Sequence, residues 1–194
     1  GMRLWNHICG VTLGCVFSIV MASGGAQAGG DGHVAFRVGA VEFLGTGPSY
    51  VDVGVGVFDV FLEDDDITTP AARIELRWGE KLFFIGPAIG IMANTDGGVF
   101  GYGGIYADIR YGNFILMPLL AVGGYHQGDS KDLGGVFQFR VGLGFNYQTD
   151  GGERIGIRLD HVSNAGTHSS NPGEEELLFT LSIPLGRIFG SSGH

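Results

Sequence analysis

The stretch Val136-Phe-Gln-Phe-Arg-Val-Gly-Leu-Gly-Phe-Asn-Tyr147 alternates with a period of two. Its odd positions, Phe137, Phe139, Val141, Leu143, Phe145 and Tyr147, are large and apolar, whereas Gln138, Arg140, Gly142, Gly144 and Asn146 are polar or very small. Successive side chains of a strand point to opposite faces, so this is one β-strand with two unlike faces. The same division separates Ala72, Ile74, Leu76 and Trp78 from Arg73, Glu75 and Arg77, and Ile155, Ile157 and Leu159 from Arg154, Gly156, Arg158 and Asp160. A soluble sandwich, such as a periplasmic lipid-binding β-protein, also alternates, but its polar face meets water and is rich in lysine, glutamate and threonine. Here that face carries glycine, arginine and acids in balanced numbers. This suits the crowded interior of a narrow barrel, where charges pair and glycine relieves crowding. The apolar face then meets lipid, as in an outer-membrane barrel.

Working outward, alternating segments fall at about Tyr50–Phe61, Ala71–Trp78, Lys81–Ala93, Val99–Tyr111, Asn113–Tyr125, Leu133–Gln148, Glu153–Ser163 and Glu175–Leu185. Eight is an even number, as in bacterial barrels of this kind. The connections alternate in length. Gly79-Glu80, Gly112 and Thr149–Gly152 are short, whereas Leu62–Pro70, Asn94–Gly98, His126–Asp132 and Asn164–Glu174 are longer. Short periplasmic turns and longer external loops produce this order, with both termini in the periplasm. The expected fold class is all-β, an eight-stranded antiparallel transmembrane β-barrel. Val34–Phe43 also looks strand-like; it either extends the first strand or forms a periplasmic lead-in.

Length and composition agree. A chain of 194 residues has room for one domain. Only 16% of residues are charged and 37 are glycine, against about 25% charged residues in an ordinary soluble domain. The glycines have no three-residue period, which excludes collagen, and apolar content is too high for disorder. The net charge is −9, and Lys81 and Lys131 are the only lysines, so nucleic acid would meet no basic surface and is excluded as a partner. Gly1 precedes the start methionine and is set aside. Met2, Arg3, an apolar run from Ile8 to Ala22 and the small-x-small triplet Ala26-Gln27-Ala28 read as a secretory signal peptide. The run is too short to span hydrocarbon, which takes about 20 residues. Residues 1–28 are therefore assigned to this leader and 29–194 to a single barrel domain. Cys9 and Cys15 lie inside the run, so the mature chain has no disulfide to rely on, and losing Arg3 takes it to −10.

Function has to come from a site, since many barrels have no activity. The odd-numbered apolar face of the seventh segment runs straight on into His161 and Ser163, and parity in the eighth segment places Glu175 on the same face as Leu177 and Phe179. Glu174 and Glu176 point the other way. Neighbouring strands thus bring histidine, serine and a carboxylate onto one patch of outer wall, where uncompensated polar groups cost free energy. Histidine can accept the serine proton, and a carboxylate can fix its tautomer. Asn164 could donate its amide to a developing oxyanion. Ser163 and His161 are about 6.6 Å apart along the strand, so they meet only if their side chains lean together.

The stretch His161-Val-Ser-Asn-Ala-Gly166, followed by Asn171-Pro-Gly-Glu-Glu175 and a last strand ending Ile183-Pro-Leu185, resembles the PagL family of outer-membrane lipid A 3-O-deacylases. The resemblance is strongest from about Asp160 to Leu185; Val162 stands where an aromatic residue is expected. It implies Ser163 as nucleophile, His161 as base, Glu175 as orienting carboxylate, Asn164 as the oxyanion residue and Asn171 as a loop residue of the site. It further implies hydrolysis of the 3-O-linked 3-hydroxyacyl ester of lipid A, in lipopolysaccharide of the outer leaflet, without metal or organic cofactor. The protein would work in the bacterial outer membrane as a monomer or homodimer. The alternative from another class is a catalytically silent barrel with a lipid-binding or structural role.

Other motifs carry less. Glu63-Asp64-Asp65-Asp66 lacks the alternation of a calcium loop and reads as a solvated external loop. His126 and His168 have no metal-ligand spacing. Arg73, Glu75, Arg77, Asp108, Arg110, Arg140, Arg154, Arg158 and Asp160 read as an interior ion network.

Overall fold

The computed structural model describes residues 32–60 and 68–189. The leader, Cys9, Cys15 and the acidic run at 63–66 lie outside the described residues. The strands are β1 (Val34–Val38), β2 (Val41–Leu44), β3 (Tyr50–Phe58), β4 (Thr69–Arg77), β5 (Ile85–Asn94), β6 (Val99–Tyr111), β7 (Phe114–His126), β8 (Phe137–Gln148), β9 (Arg154–Ser163) and β10 (Glu174–Pro184). One turn of helix, α1 (Leu185–Ile188), follows. Strands β3 to β10 pair antiparallel in chain order, and β10 returns to β3 from Glu176 against Phe58 to Pro184 against Tyr50. The eight strands therefore close on themselves, which removes the exposed edges of an open sheet.

The strand-like segment at 34–43 is neither a ninth barrel strand nor part of the first. It forms the hairpin β1–β2, whose second strand pairs through Glu42–Leu44 with Asp108–Arg110, where β6 outruns β5. This is the lead-in at the end of the barrel opposite the candidate site. Its outward aromatics stack, Phe36 on Phe43 at 4.2 Å and Phe36 on Phe83 at 5.3 Å, while Phe84 meets Phe43 edge-on at 5.6 Å. Those contacts hold residues 78–84 as a folded turn, with Phe83 at φ +61°. The segment expected as a strand from Lys81 thus begins only at Ile85, and the expected two-residue connection Gly79-Glu80 is longer than the external β5–β6 loop. The opposite correction applies to β8, expected from Leu133 but starting at Phe137. Leu133 instead folds over the external mouth and is almost completely buried, in one cluster with Phe58, Tyr125 and Val162.

Along β8 the even positions are buried and most odd positions exposed, as the alternation requires. The inward side chains fill the lumen. Arg140 donates to Asp160 at 2.7 Å and to Glu176 at 2.8 Å. Arg158 reaches Asp160 at 2.9 Å and Glu75 at 3.2 Å, and Tyr102 donates to Glu75 at 2.6 Å. Asp52 accepts from Arg73 and Arg77. Nearer the β1–β2 end, Asp108 takes Arg154 at 2.7 Å and Lys81 at 2.8 Å. Lumen space is scarce enough that a methyl group at Gly142 would collide with the Asp160 carboxylate.

Two substitutions test this division into an ion-paired lumen and a lipid-facing wall. Arg140→Leu strands the buried Glu176 carboxylate and leaves Asp160 to Arg158 and Arg73, and should cost about 3–5 kcal/mol. Leu143→Arg, half-exposed on the outer face and midway along β8, should cost about 2–4 kcal/mol in a bilayer. Reversible urea unfolding in lipid vesicles measures both. A neutral Leu143→Arg would mean that this face meets water.

Candidate active site

The ladder between β9 and β10 pairs Glu175 directly with His161. Both side chains point out of the barrel, and His161 Nδ1 lies 3.0 Å from Glu175 Oε1. The side chains are 47% and 30% exposed, so the pair stands on the wall rather than in it. The flanking acids go the other way. Glu174 is buried, with Oε2 accepting from the Asp59 N–H at 3.4 Å, and Glu176 is held by Arg140. Of three consecutive glutamates, only Glu175 shares a surface with His161.

Ser163 is the last residue of β9, on the same face as His161 and beside Phe139 of β8. The structure brings His161 and Glu175 together and leaves Ser163 one two-residue step away. Among the described residues its hydroxyl makes no side-chain hydrogen bond. The wall around the three is apolar. Val141 lies beside His161 on β8, Leu159 and Leu177 face each other below it, and Phe137 meets Phe139 edge-on at 5.1 Å. Val162 faces the interior, almost fully buried, so the departure at this position does not reach the outer face.

Asn164 departs from its expected place. Its side chain is fully buried on the inward side, where Nδ2 donates to Leu133 O at 3.0 Å and to Ser170 O at 2.6 Å. Oδ1 accepts from Gly166 N–H at 2.9 Å, and the backbone carbonyl accepts from Thr167 Oγ1 at 2.7 Å. With both amide hydrogens engaged, the side chain ties the β9–β10 loop to the β7–β8 loop and has no donor left for an oxyanion. Its backbone N–H donates to Asn171 Oδ1 at 2.9 Å. That bond anchors the exposed Asn171 amide beside the residue after the serine, with Nδ2 unpartnered among the described residues.

Sequence reasoning missed the partners that hold these loops. His168 packs over Gly135, where any side chain would collide with its ring, and Lys131 bridges to Asp59 at 2.9 Å. Loop-to-loop contacts leave no periodic trace. Gly173, conspicuous only as a glycine before the acids, lies buried against the His161 ring. No three His, Cys, Asp or Glu side chains among the described residues are grouped to hold a metal ion.

The family described as lipid A 3-O-deacylase (PagL) matches residues 38–184. Among solved structures, the outer-membrane enzyme PagL superposes with a TM-score of 0.55 at 16% identity, over 70% of this chain and 99% of that one. A de novo designed transmembrane β-barrel gives 0.47 at 13% identity, covering 73% and 98%. The Yersinia pestis outer-membrane protein Ail gives 0.42 at 15% identity, covering 70% and 99%. No curated protein matches the sequence significantly. With the family match running through all eight barrel strands and across both sides of the His161–Glu175 pair, the chain belongs to the PagL family of lipid A 3-O-deacylases, ester hydrolases of the bacterial outer membrane.

Proposed function

We propose that Ser163, His161 and Glu175 carry out this hydrolysis as a triad on the outer wall, cleaving the 3-O-linked 3-hydroxyacyl ester of lipid A in the outer leaflet. The observation that supports it best is the His161–Glu175 pair, bonded at 3.0 Å on the lipid-side face of the strand that ends in Ser163. Glu175 engages Nδ1, which fixes the tautomer and leaves Nε2 as the basic nitrogen. Nε2 takes the Ser163 proton as Oγ attacks the ester carbonyl, and returns it to the departing sugar hydroxyl. Water, deprotonated by the same imidazole, then releases the hydroxy fatty acid from the acyl-serine.

The substrate arrives from the side. Its acyl chain lies along the apolar slope of Phe139, Val141 and Leu143 while its sugar stays at the headgroup level, and the ion-filled lumen takes no part. Asn171 is the better placed of the two asparagines to donate to the oxyanion through its unpartnered Nδ2. Asn164 acts through it, by fixing its Oδ1.

Mass spectrometry of lipid A from expressing cells reads the activity. Wild type should remove one hydroxyacyl chain and Ser163→Ala none; equal activity in the two would refute the triad. Glu175→Ala should slow turnover about 10²–10⁴-fold, while Glu174→Ala, whose side chain faces inward, stays within a few-fold of wild type. Asn171→Ala should lose about 10²–10³ in kcat if it donates to the oxyanion.

A further inference from the structure

Where β9 ends and β10 begins, four positions form a square: His161 and Ser163 on β9, Glu175 on β10 and Gly173 just before it. Glu175 opposes His161, and Gly173 follows the last ladder pair, Glu174 with Val162, so it lies level with Ser163. Three corners carry the proposed triad, and the fourth has no side chain. A Cβ at Gly173 would lie 3.1 Å from His161 Cε1 and 3.7 Å from Nε2. The imidazole is thus held at Nδ1 by Glu175, with Cε1 and Nε2 slanting toward the Gly173 corner of the square. That slant is what the strand geometry demands, because Ser163 is about 6.6 Å along β9 from His161 and an upright ring would not reach it.

We infer that Gly173 is the positioning residue of the site, its missing side chain being the space into which His161 leans to take the Ser163 proton. The inference rests on the proposed triad. Gly173 also has φ +65°, a region that disfavours any residue with a Cβ, so the backbone alone could account for the glycine. A glycine remote from the site supplies the control that separates the two reasons. Gly112, in the turn between β6 and β7 at the other end of the barrel, has φ +58°, and a Cβ there would meet nothing within 4 Å. Alanine at 112 strains the backbone alone, whereas alanine at 173 also presses on the imidazole.

The experiment compares Gly112→Ala, Gly173→Ala and Gly173→Asn as full-length protein in lipid vesicles, with Ser163→Ala alongside. Asparagine tolerates this backbone region while still placing a Cβ against the ring, so it keeps the test open if alanine at 173 folds poorly. The readouts are kcat and KM on lipid A and the rate at which a fluorophosphonate labels Ser163, each corrected for folded fraction. Both Gly173 variants should lose tenfold or more in kcat at unchanged KM, roughly what displacing a catalytic group by a fraction of an ångström costs. Labelling should slow in proportion, and Gly112→Ala should keep wild-type kcat. If both Gly173 variants match Gly112→Ala while Ser163→Ala is inactive, the inference fails and the triad stands. If Ser163→Ala is active, both fall.

Discussion

Arg140 bridges Asp160 and Glu176, two carboxylates that face each other across the β9–β10 ladder inside the barrel. The next pair outward in the same ladder is His161 with Glu175. Side chains alternate faces, so a slip of one residue would carry the arginine partners into lipid and the leucines into the lumen. The cost of stranding buried charge therefore locks the register, and the register places histidine opposite glutamate. The outer site owes its alignment to an ion cluster it never touches. Arg73, Arg77 and Arg158 extend the same lock to β3 and β4 through Asp52 and Glu75, so the whole wall is keyed to its interior.

A wall fixed in this way makes outward polar groups conspicuous. Facing lipid, an unpaired imidazole or carboxylate is penalised, and pairing them to each other reduces the penalty while aiming the ring. Strand ends suit this arrangement, being rigid enough to hold a geometry and close enough to headgroups for water to enter. An ester between sugar and acyl chain has the same divided character as the surface on which the pair stands.

Alternation made the barrel legible because it is a local property. β6 runs over Val99–Tyr111, the bounds the sequence suggests, and β9 and β10 differ from them by a residue. Reading failed where distant segments decide. The four phenylalanines that fold residues 78–84 against the lead-in lie in two stretches some forty residues apart in the sequence, and no periodicity links them. Leu133 left its expected strand because the external mouth needed an apolar cover. Asn164 is a different case. The parity that turns Ser163 outward turns its neighbour inward, so its burial could have been read from the same pattern; what could not was the pair of carbonyls waiting for it.

Those carbonyls give the loops their part in the proposed chemistry. Leu133 O and Ser170 O hold the Asn164 amide from two different loops, and Asn164 N–H in turn holds Asn171. Ordering these loops and placing the Asn171 amide beside the residue after Ser163 are therefore one event. A disturbance at the mouth, even one remote from the wall, would loosen Asn171 before it reached His161 or Glu175, whose alignment comes from the lumen. The proposed site is thus supported from two directions, His161 and Glu175 by the ion cluster through the ladder and Asn171 by the loops. In the proposed reaction, changes in the two supports weaken the same attack on the ester through different groups.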